Sequence, residues 1–135
     1  MKGVAMKEVV VIVFDKKEGN LEELMRRAGK ELLRTVGRSA SLEVCLVGDL
    51  FMKKNVLAFP APKRFPRPDK PGRFLGEVYL NPSYILREGG DIFAMFVHGF
   101  LHLLGYDHKV KDDRIKMEAR ERKLLARLKI KYPSL

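Results

Sequence analysis

The chain has 135 residues, 46% of them apolar, one cysteine and a net charge of +10 with a pI near 9.9. That length and composition imply one folded domain with a real core, and the lone cysteine excludes an intrachain disulfide framework, which suits a reducing compartment. A charge this unbalanced on a small domain concentrates polyanions, of which nucleic acid is the commonest, whereas heat adaptation alone adds acids and bases evenly.

Lys2 and Lys7 precede the run Val9 to Phe14, which is too short for a signal-peptide core and, being β-branched and unbroken, predicts a central strand buried on both faces. Asn20 with Glu23 resembles a capping box. Leu21, Leu24, Met25, Ala28, Leu32 and Val36 then follow at helical spacing until Gly37 closes the segment. Leu42, Val44 and Leu46 alternate with Glu43, Cys45 and Val47 in a second predicted strand, and Asn55 to Phe59 is a short extended piece ending at Pro60.

Pro60 to Arg73 holds five of the seven prolines together with Lys63, Arg64, Arg67, Lys70 and Arg73. Prolines keep such a loop extended and its cations available to phosphates. Leu75 to Leu80 reads as a further strand, ended by Asn81-Pro82. After Gly89-Gly90, Asp91 is placed to cap a helix, and Asp112 to Ile130 predicts a last, basic helix with Ile115, Leu124, Leu125 and Leu128 turned inward. The longest apolar run, Ile92 to Leu104, contains two histidines and falls short of a membrane span of ~20 residues. The expected architecture is α+β, a single domain over residues 1–135 with a mixed β-sheet packed by helices, in a soluble cytoplasmic protein with no membrane partner.

All three histidines, His98, His102 and His108, fall within eleven consecutive residues. A helical i, i+4 pair projects from one face with Cβ atoms about 5–6 Å apart, a span that two imidazoles reaching zinc at roughly 2.0–2.1 Å bridge without bending the helix. Gly105 is placed to end that helix in a left-handed conformation, turning the chain so that His108 comes back toward the other two. One zinc ion per chain on a facial set of three imidazoles is therefore expected. Structural zinc sites are closed by four ligands, generally with several cysteines, and only Cys45 is present, so an open fourth position is the better fit. A water there becomes acidic near neutral pH, which is hydrolytic chemistry. Asp107 is either a fourth ligand or, the preferred reading, an acceptor that orients an imidazole ring.

His98-Gly99-Phe100-Leu101-His102-Leu103-Leu104-Gly105-Tyr106-Asp107-His108 resembles the H-G-x-L-H-L-x-G-Y-D-H signature of the YbeY family, bacterial rRNA maturation factors described as metal-dependent endoribonucleases. Asn55 to Pro60 is similar to that family's N-V-L-S-F-P segment, and Leu75-Gly76-Glu77 to its L-G-D element. The resemblance implies an α+β fold related to zinc metallopeptidases, with a zincin-like metal-binding helix. It also implies zinc on His98, His102 and His108, and cleavage of single-stranded RNA, including the 3′ end of 16S rRNA on the small ribosomal subunit, in maturation and ribosome quality control. Where the family carries a Tyr-Arg pair, this chain has Phe51-Met52-Lys53-Lys54, and Glu77 is one methylene longer than the usual acid. Lys53, Lys54, Lys63, Arg64 and Arg67 are the candidates for holding the RNA backbone, and Glu77 is the candidate proton-transfer partner.

Two other classes fit part of the pattern. A ribosome-assembly module could use zinc only to fix its fold. A metzincin-like protease shares the histidine spacing, but Gly99 stands where H-E-x-x-H places its general base, a loss of ~10²–10⁴-fold.

Overall fold

Four extended segments form one sheet: β1 (Lys7–Val13), β2 (Ala40–Leu46), β3 (Val56–Pro60) and β4 (Arg73–Leu80). The computed structural model describes residues 5–62, 72–107, 109 and 111–133. Strand order is β1-β2-β4-β3, with β1, β2 and β4 parallel and β3 antiparallel to β4. This is the mixed sheet of an α+β domain.

The inner positions belong to β2 and β4, and every residue of β2 is buried except the half-buried Glu43. The β-branched run expected to be central is instead the edge strand β1, where Val9 and Val11 face the core and Ile12 is 37% exposed. Uniform apolarity misled here because one face of the sheet carries no helix among the described residues, yet still has apolar side chains.

A 3₁₀ turn over Lys16–Leu21 leads into α1 (Glu22–Leu33), and Asp15 starts it by accepting a hydrogen bond from the Lys17 amide at 3.0 Å. The Asn20–Glu23 capping box therefore does not form. The helical path begins five residues earlier than the box implies, and Leu21 at the start of α1 offers no side-chain cap. Gly37 closes the segment as expected.

Asn81-Pro82 ends β4 and also begins a short helix, α2 (Pro82–Arg87), that the sequence reading did not include; the Asn81 side chain accepts from the Tyr84 amide at 3.0 Å. An asparagine cap followed by proline in the first turn is a strong start signal, but six residues give too little periodicity to read. Asp91 caps α3 (Ile92–Leu103), accepting from the Phe93 amide at 2.8 Å.

α1 packs on β1 and β2, α3 on β3 and β4, and α4 (Lys111–Lys131) lies against α3. Phe93, Phe96 and Phe100 are fully buried between the layers. From α4 the inward residues are Met117, Leu124 and Leu128, with Leu125 half-buried; Ile115, expected inside, is 55% exposed. It sits two residues from Met117, about 200° around the helix. Among the described residues no helix is long and apolar enough to cross a membrane.

Gly99 sets how closely α3 approaches the sheet. A Cβ there would meet Val78 Cγ1 at 2.8 Å and Val56 Cγ2 at 3.1 Å. Val78 is fully buried and has nowhere to move. Gly99→Ala therefore gains ~1 kcal/mol of helix propensity but incurs about 1–3 kcal/mol of overpacking, a net loss of about 1 kcal/mol, and Gly99→Val loses more. Urea midpoints check this; a more stable Gly99→Ala protein would contradict the close approach.

Candidate metal centre

His98 and His102 lie one turn apart on α3, and their Nε2 atoms face each other at 3.1 Å. The rings are nearly perpendicular, at 79°, with centroids 4.6 Å apart. Each Nδ1 meets an acceptor on the far side: Glu121 Oε1 from α4 at 3.0 Å for His98, and the Tyr106 carbonyl oxygen at 2.9 Å for His102. A carboxylate and a carbonyl accept, so both rings donate from Nδ1 and turn Nε2 inward.

With both Nδ1 atoms turned outward to acceptors, the two Nε2 atoms are the ring nitrogens available to ligate a cation between them. Tetrahedral zinc with Zn–N of about 2.0–2.1 Å holds two ligand nitrogens about 3.3 Å apart, within a few tenths of an ångström of this spacing. Outer acceptors on the far ring nitrogens are also what zinc-bound histidines nearly always have. The pair thus fits half of a zinc site. Among the described residues no group of three or more histidine, cysteine, aspartate or glutamate side chains is arranged to hold a metal.

The acceptor for His102 is a product of the helix end. Gly105 adopts φ +99°, its amide donates to the His102 carbonyl at 3.0 Å, and the Tyr106 amide donates to Leu101 at 3.1 Å. This double closure requires the left-handed residue that glycine supplies, and it folds the Tyr106 carbonyl back under the ring. Asp107 does not serve His98 or His102: its Oδ1 accepts from the Lys109 amide at 2.9 Å. For His98 that outer role falls to Glu121, which no local spacing signals because it lies 23 residues away on another helix.

The pair opens into a cleft of about 760 Å³ whose far wall is β3, with Asn55, Val56 and Ala58, and whose rim includes Tyr106, Asp107 and Lys109. Lys53 and Lys54 are exposed in the turn just before Asn55. Asn55 heads the segment ending at Pro60, but the sequence assigns neither it nor Lys109 a role, since a lone polar residue carries no spacing signal. Lys63, Arg64, Arg67 and His108 lie outside the described residues.

Glu77 is not brought to the cleft. Ser41 of β2 pairs with Phe74 and Glu43 with Glu77, so β4 carries one extra residue at Leu75–Gly76. Such a bulge inverts the side-chain parity that follows it. At Gly76 φ is +134°, and a Cβ would meet the Phe59 carbonyl oxygen at 2.2 Å. Val78 consequently faces α3, while Glu77 lies on the opposite face of the sheet, where it accepts a hydrogen bond from the Tyr79 hydroxyl at 3.2 Å. Cys45, buried on that same face, has its thiol pushed up to about 11 by burial first and by the Glu77 charge second, which leaves it inert at neutral pH.

A second cleft, of about 470 Å³, opens beside the start of α3. There the Ser83 hydroxyl donates to Glu18 at 2.6 Å and Lys129 pairs with Asp91 at 2.5 Å.

Residues 11–129 match the protein family described as Endoribonuclease YbeY. Among curated proteins, the chain is 43% identical over 89 residues to "Endoribonuclease YbeY" of Nitrobacter hamburgensis, covering 58% of this chain and 47% of that protein. It is 40% identical over 87 residues to the protein of the same name from Rhodopseudomonas palustris, covering 58% and 46%, and 39% identical over 89 residues to that of Bartonella bacilliformis, covering 58% and 54%. The chain spans about half the length of the curated relatives it matches. A family match across 11–129, joined to an imidazole pair whose far nitrogens are both fixed, carries one conclusion: this chain belongs to the YbeY family.

Proposed function

We propose that the chain is a metallohydrolase domain that cleaves single-stranded RNA internally at phosphodiester bonds, with one zinc ion held by His98, His102 and His108. The observation that carries this reading is the pair of Nε2 atoms 3.1 Å apart with both Nδ1 atoms tied to acceptors. His108 follows Asp107 in the sequence and would supply the third ligand that a catalytic zinc needs. A zinc ion held there supplies Lewis-acid polarisation of the phosphodiester and a water acidic enough to act near neutrality.

The chain's own groups do the rest. Glu121 and the Tyr106 carbonyl lock the two rings in register and keep their tautomers fixed. Val56 and Ala58 form an apolar wall that limits water on the β3 side, and Lys109, Lys53 and Lys54 supply cations for the RNA backbone, with Lys63, Arg64 and Arg67 of the proline-rich loop extending that set. The excess of base over acid across the whole chain supports a polyanionic substrate. Family membership and the signature around the histidines support rRNA as that substrate, with 3′-end maturation of 16S rRNA on the small ribosomal subunit and ribosome quality control as its setting, in the cytoplasm. A protease role gains nothing, because Gly99 abuts Val78 and Val56 and leaves no room for a glutamate general base.

Single-stranded RNA incubated with chelator-treated protein stays intact and is cleaved when zinc is restored. Equal cleavage under both conditions overturns the metal-dependent reading. RNA that is bound but never cleaved, by a protein whose melting temperature drops sharply on chelation, points instead to an assembly module with structural zinc.

A further inference from the structure

The face of the sheet that turns away from α1 and α3 carries a row of aromatic rings at its surface. Phe14 at the end of β1, Phe51 in the turn after β2 and Phe59 on β3 are 54%, 59% and 50% exposed. They form one continuous set: Phe14 stacks on Phe51 at 5.4 Å and 20°, Phe51 on Tyr79 at 5.8 Å and 5°, and Phe59 meets Tyr79 edge-on at 5.5 Å. Large rings this exposed are costly in water, and a contiguous set of them marks a contact surface.

We propose that this row is a base-stacking platform for single-stranded RNA, separate from the imidazole cleft and contiguous with it. The proposal rests on the reading that RNA is the substrate, and charge selects RNA over an apolar protein segment. Lys16 and Lys17 follow Phe14, Lys53 and Lys54 follow Phe51, and all four are exposed. Of the nearby acids, Asp15 accepts from the Lys17 amide, Asp49 is paired with Arg87 at 2.7 Å, Glu77 accepts from the Tyr79 hydroxyl, and Glu43 lies beside Glu77 in the β2–β4 register. Exposed rings interleaved with exposed lysines are the pattern by which proteins hold single strands without reading sequence, the rings taking base faces and the lysines taking phosphates.

Continuity with the cleft comes from β3. It is the edge strand, and its alternate residues point to opposite faces, so Ala58 lines the cleft while Phe59 belongs to the aromatic row. A strand of RNA stacked on Phe51 and Phe59 needs only to cross that one edge to enter the space before His98 and His102. A duplex has no free base faces to offer, so the platform makes the protein selective for single strands.

The test is binding of a labelled single-stranded RNA of about 12 nucleotides, within the usual site size, by zinc-loaded protein on ice over times too short for cleavage. Phe51→Ala and Phe59→Ala each lower affinity about tenfold with an unchanged salt slope, since the phosphate contacts remain. Phe51→Leu and Phe59→Leu, which keep apolar bulk and guard against misfolding, lose as much. Phe51→Trp, in a chain without tryptophan, retains affinity and is quenched by RNA but not by the matching duplex.

Variants that bind as tightly as a wild-type protein that still cleaves RNA overturn the platform and leave the nuclease reading standing. Leucine variants that keep full affinity also overturn it, as does self-association of the wild type lost in the alanine variants with RNA affinity unchanged, because both assign the row to apolar protein contact. A wild type that neither binds nor cleaves RNA overturns both proposals.

Discussion

His102→Ala protein purifies without zinc, and its cleavage of single-stranded RNA falls to background. The substitution deletes one of two nitrogens that already stand 3.1 Å apart and leaves the proposed site a ligand short. Losing a mere outer partner of a metal ligand costs 10–100-fold in affinity or activity, so losing the ligand itself costs well beyond that range. Glu121→Gln supplies the contrast. It keeps the side-chain length but replaces the carboxylate that accepts from His98 Nδ1, so zinc affinity drops about 10–100-fold and cleavage recovers when zinc is raised. Metal analysis after dialysis, alongside cleavage at graded zinc, separates the two. If His102→Ala retains one zinc per chain and cleaves normally, the site is elsewhere.

Glu31→Gln destabilises the fold by about 2–3 kcal/mol, roughly 10 °C in melting temperature, and the penalty shrinks in acid. Glu31 lies in α1, is buried, and joins that helix to α4: Arg127 Nε is 2.7 Å and Lys131 Nζ 2.9 Å from its carboxylate, with Arg34 as a local partner at 2.5 Å. Burial pushes the carboxyl up, but hydrogen bonds and charges from Lys131 and Arg127 outweigh it and bring the carboxyl down from 4.5 to about 2. A group whose pKa is lower in the folded state stabilises it fully above the unfolded value and loses that contribution as pH falls through the folded one. The difference between wild type and Glu31→Gln is therefore complete above about pH 4.5 and narrows toward pH 2. The three cations are about half exposed and keep much of their hydration, which holds the cost below that of stranding a fully buried charge. Urea unfolding of both proteins between pH 7 and pH 2 measures it; a difference that stays constant across that range removes the triad as its source.

Much of this molecule was readable from residue order because the signals are local. The i, i+4 spacing of His98 and His102 dictates a shared helix face, Gly105 dictates the turn that follows, and Asp91 caps the helix as its position requires. Alternation of Leu42, Val44 and Leu46 is enough for a strand. Gly99 was legible as a helix position without a side chain, but Val78 and Val56 as what packs against it were not.

What depended on the whole fold is whatever joins distant positions. Residue order chose the histidines and the helix that carries them; the packing of α4 on α3 chose Glu121 as the acceptor for His98, across 23 residues that no periodicity spans. Sheet order likewise made β1 an edge and β2 an inner strand, though β1 was the one that read as central. One extra residue at Gly76 turned Glu77 to the face opposite the imidazoles, and sheet pairing gathered Phe14, Phe51, Tyr79 and Phe59 from four separate segments. Local sequence fixes dihedral preferences and which side chains share one face of one element, because those depend on neighbours three or four residues away. Which faces then meet is settled by burial of apolar surface summed over all elements together, and that sum exists only in the folded chain.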